Sequence, residues 1–142
     1  MKYWDASALV PLLVSEDTTA RVRKWLEHDP LIVTWAWSVV EITSAVERRF
    51  RDGDLTQMAR RELLTQLAQL ALQWDEITDT LAVRRHAKRL LARYPLRAAD
   101  AGQLAAALVL FEDQPEGQGF VCLDQRLAHA AEMEGFSVLT IP

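Results

Sequence analysis

Asp5 ends the apolar run Lys2-Tyr-Trp and stands directly before a second apolar segment, Ala6 to Val14. A charge taken out of water without a partner is expensive. Asp5 therefore either caps a helix or holds something the chain does not itself supply. Asp124 repeats the arrangement after Phe120-Val-Cys-Leu123. Glu41 lies near the start of the segment that follows Leu31-Ile-Val-Thr34, and Asp100 lies in "LRAADAGQLAAAL". Four acids brought into one small volume repel, and their pKa values rise unless a cation neutralises them. Mg²⁺ or Mn²⁺ suits such a set, because both are hard ions held by a few carboxylates with water and phosphate oxygens. A metal held this way can polarise a phosphate, supply hydroxide and stabilise a departing oxygen.

Each acid also has a purely structural reading. Asp5 and Asp124 are good helix N-caps. Ser38-Val-Val-Glu41 has the spacing of a capping box, in which Glu41 reaches back to the Ser38 N–H. Asp100 would complement the positive end of a helix dipole, although its apolar neighbours make that account weaker. Ser7, two residues after Asp5, reads locally as a first-turn serine bonded to backbone. Singly these readings suffice; the joint placement of the acids is the signal.

The elements that must position them follow from periodicity. Short β-rich runs are expected at Lys2–Asp5, Leu31–Thr34, Trp74–Ile77, Phe120–Leu123 and Phe136–Thr140. Helical periodicity covers Ser7–Val14 (interrupted or entered at Pro11), Asp17–His28, Ser38–Asp52, Asp54–Gln73, Asp79–Arg93, Ala98–Phe111 and Asp124–Glu134, with Gly53 and Gly135 as C-terminal caps. The helix over 79–93 should bury Val83, Ala87, Leu90, Leu91 and Tyr94. The helix over 98–111 is apolar nearly all round and should be central. Short apolar strands alternating with helices predict an α/β fold, a parallel sheet covered on both faces. In such a sheet Asp5 and Asp124 emerge at the same edge, where open α/β folds place ligands.

Bulk properties bound the rest. The 142 residues suit one domain, residues 1–142, with half the residues apolar and a quarter charged. The lone Cys122 can form no internal disulfide. No leader pattern precedes Asp5, and the longest apolar stretch, Leu104–Phe111, is too short to span a bilayer; a soluble, cytoplasmic protein with no membrane partner is expected. The net charge of −4 disfavours a nucleic-acid partner at first sight. Setting the four acids aside, however, leaves sixteen acidic against sixteen basic residues, and only a local basic face is needed.

"YWDASALVPLL", "WSVVEITSAV", "LRAADAGQLAAAL" and "GFVCLDQRLAHAAEMEGFSVL" resemble, in that order, the segments of PIN-domain ribonucleases, most closely VapC-type toxins of bacterial toxin–antitoxin pairs. The resemblance runs from Lys2 to Leu139. It implies a PIN-like three-layer sandwich with a central parallel sheet flanked by helices. It also implies a divalent-metal-dependent endoribonuclease using Mg²⁺ or Mn²⁺ on RNA, with a small antitoxin partner. By matching position, Asp5, Glu41, Asp100 and Asp124 would be the metal-binding and catalytic acids, and Ser7 the hydroxyl that orients water or phosphate. Cys122 stands where relatives often carry Ser or Thr, and a thiol is a weaker hydrogen-bond partner. Gly102 replaces a usual aliphatic residue and Pro11 a frequent basic one.

Arg97, three residues before Asp100, is the basic residue placed nearest an RNA phosphate. Arg84, Arg85, Lys88, Arg89 and Arg93 stripe one helix, and Arg48, Arg49 and Arg51 crowd the end of another; solvated faces account for most of these. Trp35 and Trp37 have faces on which bases could stack, but packing in the core or against an antitoxin is the role expected of them. His28, His86 and His129 lack ligand spacing and read as surface or packing residues. The apolar stripe over 63–71, with the resemblance, suggests a homodimer. Two rivals remain: a PIN-like interaction module without catalysis, and an aspartate-based phosphatase, which would want an acid where Ser7 stands.

Overall fold

The computed structural model describes all residues, 1–142. Five strands form one sheet: β1 (Lys2–Trp4), β2 (Ile32–Trp35), β3 (Asp75–Ile77), β4 (Gly119–Val121) and β5 (Ser137–Leu139). Every neighbouring pair is parallel and the order is β3-β2-β1-β4-β5. Seven helices connect and cover them: α1 (Ala6–Leu13), α2 (Thr19–His28), α3 (Ser38–Arg51), α4 (Gln57–Ala71), α5 (Thr80–Arg93), α6 (Ala98–Leu110) and α7 (Gln125–Glu134).

Side chains alternate across a strand, so successive residues feed different cores. Tyr3 and Phe120 stack at 5.4 Å and join α5, α6 and α7 in one buried cluster. Trp4 and Val121 point the other way and join α1 to α4 in a second. The result is the expected three-layer sandwich. In α6, every residue from Ala101 to Leu108 is buried, so the helix that is apolar on all sides lies in the middle of its layer.

The chain winds from β1 through β2 to β3 on one side, then returns to place β4 and β5 on the other. The order therefore reverses between β1 and β4, and a crevice opens there beyond the carboxyl ends of the strands. Asp5 and Asp124 follow those two strands.

Several boundaries differ from the sequence pattern. Helix α1 continues through Pro11; the ring is buried and the Pro11 carbonyl accepts from Thr19 Oγ1 at 2.9 Å. Helix α4 starts at Gln57, not Asp54, because Thr56 caps it by accepting from the Ala59 N–H at 3.1 Å. Leu123 lies beyond β4, and Leu91 is exposed rather than part of the α5 core face. The α4 stripe turns inward: Leu67 is buried, and Leu63, Leu64, Leu70 and Ala71 are half-covered by their own chain. Gly53, at φ +82°, and Gly135, at φ +114°, follow α3 and α7 in the left-handed region that glycine tolerates best.

Candidate active site

Asp5 is the N-cap of α1 and is almost fully buried, at 3% exposure. Its Oδ2 accepts from the Ser7 N–H at 3.1 Å, from the Ser7 hydroxyl and from the Cys122 thiol at 3.6 Å. All three bonds fall on one oxygen, leaving Oδ1 free of protein donors. Ser7 Oγ in turn accepts from the Leu123 N–H at 3.0 Å, which ties the start of α1 to the end of β4. Asp5 thus caps a helix with one oxygen and keeps the other clear of protein donors.

Asp124 behaves alike at the next junction. It caps α7, Oδ1 accepting from the Leu127 N–H at 2.9 Å, and its side chain is exposed at the crevice. Glu41 does not form the capping box. Ser38 is buried and turned inward, its Oγ sharing a hydrogen with Thr34 Oγ1 at 2.6 Å, while Glu41 Oε1 accepts from Gln103 Nε2 at 2.9 Å. Trp37, which offers no side-chain cap, begins the helix. Asp100 sits in the first turn of α6 with Arg97 as the residue before the helix.

These placements bring Asp5, Ser7, Glu41, Asp100 and Asp124 to the wall of one pocket of about 240 Å³. Burial is the main force raising the pKa values of Asp5, Glu41 and Asp100, and repulsion from neighbouring acids adds to it. The Asp5 carboxyl is pushed up to about 6 by burial, with Asp100 adding to the rise against bonds from Ser7 and Cys122 that lower it. Glu41 is pushed up to about 7 by burial, and Asp5 and Asp100 raise it further against the Gln103 bond. Asp100 is raised by burial and by Asp124. Burial also holds the Cys122 thiol far up, so it stays a protonated donor.

No three His, Cys, Asp or Glu side chains are closed into a ready-made metal cage. The donor set still fits a hard divalent ion. Asp5, Glu41 and Asp124 each give one oxygen to the protein and keep one, and Mg²⁺ usually takes only one or two carboxylates and keeps its waters.

Arg97 and Asp100 together line two clefts that adjoin the acid pocket. Arg126 and Gln103 were not singled out from the sequence, and Arg48 was read there only as part of a crowded, solvated helix end. Arg126 shares a cleft with Arg97, Asp100 and Asp124. Arg48, seven residues after Glu41, reaches the acid pocket itself. Gln103, fully buried, links Tyr3, Ser38 and Glu41; a lone amide among alanines and leucines was the available signal. The histidines stay outside: His28 and His129 are exposed, and His86 faces Asp113 at 3.4 Å. The α5 stripe is partly used in structure, since Arg89 and Arg93 bind the Glu134 carboxylate at 3.1 and 2.8 Å. No helix is long and apolar enough to cross a membrane.

A family model described as "PIN domain" matches residues 2–133. Two curated relatives from Mycobacterium tuberculosis, ribonuclease VapC45 (strain CDC 1551 / Oshkosh) and ribonuclease VapC49 (strain ATCC 25618 / H37Rv), are each 29% identical over 139 residues, spanning 91% of this chain and 90% of the relative. Among solved structures, a toxin–antitoxin complex from Klebsiella pneumoniae superposes with a TM-score of 0.63 at 14% identity, covering 90% of this chain and 91% of that one. FitAB bound to an IR36 DNA fragment superposes with a TM-score of 0.63 at 18% identity, covering 99% and 94%. Those two likenesses speak to the fold. With the family match spanning nearly the whole chain, the protein belongs to the PIN domain family.

Proposed function

We propose that this chain is an endoribonuclease, the toxin of a toxin–antitoxin pair, and that it hydrolyses RNA phosphodiester bonds with Mg²⁺ or Mn²⁺. The observation that carries the reading is the convergence of four carboxylates from four separate junctions on one pocket at the switch point of the sheet. Relatives named as VapC ribonucleases support the substrate, and a toxin–antitoxin complex among the structural neighbours supports a small antitoxin partner. A single PIN-like domain over 1–142, acting as a homodimer in the cytoplasm, belongs to the same reading.

Asp5, Glu41, Asp100 and Asp124 would hold the ion, which supplies Lewis acidity and lowers the pKa of bound water. Ser7 fixes Asp5 in one orientation through two bonds to the same oxygen. Gln103 orients Glu41 through a single bond. Arg97, Arg126 and Arg48 ring the acids, and would draw in the phosphate backbone that the carboxylates alone repel.

The test is to incubate purified protein with structured RNAs in Mg²⁺, Mn²⁺ or chelator, alongside Asp5→Asn. Metal-dependent cleavage by the native chain that the variant loses supports the enzyme. Equal inactivity of both under all three conditions supports a noncatalytic PIN-like module instead.

A further inference from the structure

We infer that Trp37 is a stacking platform for an unpaired nucleobase beside the scissile phosphate; the identity of the substrate as RNA rests on the reading above. Of the five tryptophans, Trp4 and Trp74 are buried, Trp25 and Trp35 are half-buried, and Trp37 alone is exposed, at 53%. An indole left in water at that level is an apolar surface awaiting a cover.

Its mount is rigid. The Trp37 carbonyl accepts from the Val40 and Glu41 N–H groups at 3.0 and 3.1 Å, so its backbone is fixed in the same turn that carries Glu41. Trp35 braces it, the two rings lying 6.4 Å apart and tilted by 39°. Trp35 is itself wedged against α6, where a Cβ on Gly102 would lie 2.4 Å from its ring. The glycine in a position where an aliphatic residue is usual is what admits this wedge. The path Gly102–Trp35–Trp37 therefore gives the exposed indole a fixed backing.

The chemistry around Trp37 selects the occupant. It lines a cleft of about 380 Å³ with Glu41, Arg48, Arg97 and Asp100. Glu41, Arg48 and Asp100 also line the acid pocket, so the indole stands one cleft away from the proposed cut. An aromatic face that shares its cleft with two guanidinium groups fits a base with its phosphates. An apolar peptide would leave those charges unpaired. Bases inside a duplex already stack on both faces, so the nucleotide that uses Trp37 must be unpaired.

The experiment compares native protein with Trp37→Phe, Trp37→Leu and Trp37→Ala. Each is titrated in chelator with single-stranded RNA carrying 2-aminopurine at successive positions, and assayed in Mg²⁺ or Mn²⁺ on the same RNA alone and annealed to its complement. Circular dichroism checks that the variants fold. Stacking predicts that Trp37→Ala weakens binding about tenfold and loses the quenching of one 2-aminopurine position. Trp37→Phe keeps most of the affinity and Trp37→Leu resembles Trp37→Ala. Cleavage of the single strand should exceed that of the duplex. Equal binding by all four proteins overturns the inference, as does Trp37→Leu matching Trp37→Phe, a duplex cut as well as the single strand, or no RNA binding at all. Cleavage unaffected by any Trp37 variant leaves the nuclease standing without the platform. Trp37-dependent binding with no cleavage in any metal leaves the platform standing without the nuclease.

Discussion

Gln103, at the centre of the most apolar helix, donates to Glu41 across the layer at 2.9 Å while its Oε1 accepts from the Tyr3 hydroxyl at 2.5 Å. One buried amide thus couples the floor of the sheet to an acid of the pocket. Its Nε2 also reaches Ser38 Oγ at 3.0 Å. Gln103→Leu keeps the volume but strands the Tyr3 hydroxyl in a buried site and leaves Ser38 with Thr34 as its only side-chain partner. An unsatisfied buried polar group costs about 1–3 kcal/mol. A lowered urea midpoint with an unchanged slope is expected, with cleavage falling more steeply than stability because Glu41 loses its orienting donor.

Gly102 and Trp35 make a second steric pair. Gly102→Ala would drive a methyl into the Trp35 ring, and overpacking of this kind costs about 1–3 kcal/mol. The double variant Gly102→Ala with Trp35→Leu should recover part of that loss in thermal melts, since leucine vacates the space. Additive losses from the two changes would contradict the wedge.

The raised carboxyls set the pH dependence of the metal-free protein. Asp5 rises from an ordinary 3.8 to about 6 and Glu41 from 4.5 to about 7 on folding. The folded state therefore holds these protons more tightly than the unfolded chain. Their contribution is fully present below about pH 4 and is lost as pH rises through 6 and 7. Native protein in chelator should lose stability over that window, and Asp5→Asn should flatten the lower part of the decline. Added Mn²⁺ should stabilise more at pH 8 than at pH 5, because protons compete with the ion for the same oxygens. Thermal melts across pH, with and without Mn²⁺, measure both.

Arg48→Ala, Arg97→Ala and Arg126→Ala remove exposed charges and should leave folding unchanged. Each should raise KM for RNA with a smaller effect on kcat, and each should reduce the salt dependence of binding by about one phosphate contact. A loss confined to kcat would place that arginine at the reacting phosphate instead.

The layers of the fold were legible in the sequence because its strands are short and apolar on both faces and α6 is apolar all round. The same-edge emergence of Asp5 and Asp124 followed from parallel strands alone. Helix boundaries were less legible where a local cap decided them. Thr56 outcompetes Asp54 at α4, and Pro11 is accommodated in α1 because its ring is buried and its carbonyl binds Thr19. Ser38 and Glu41 carried the spacing of a capping box, yet both side chains turn to Gln103, a partner 62 and more residues away. Such tertiary competition leaves no mark at short range. Arg48 and Arg126 were hidden for a related reason: each is one of many surface arginines until the crevice between β1 and β4 singles it out.

The most direct measurement is Mn²⁺ binding by titration calorimetry at pH 7.5 to native protein, Asp5→Asn and Asp100→Asn, with RNA cleavage followed in the same preparations. The pocket account predicts that Mn²⁺ binds the native chain, that each substitution weakens it at least about tenfold, and that cleavage falls with it. Cleavage that persists in chelator, or native Mn²⁺ affinity in both variants, would contradict it.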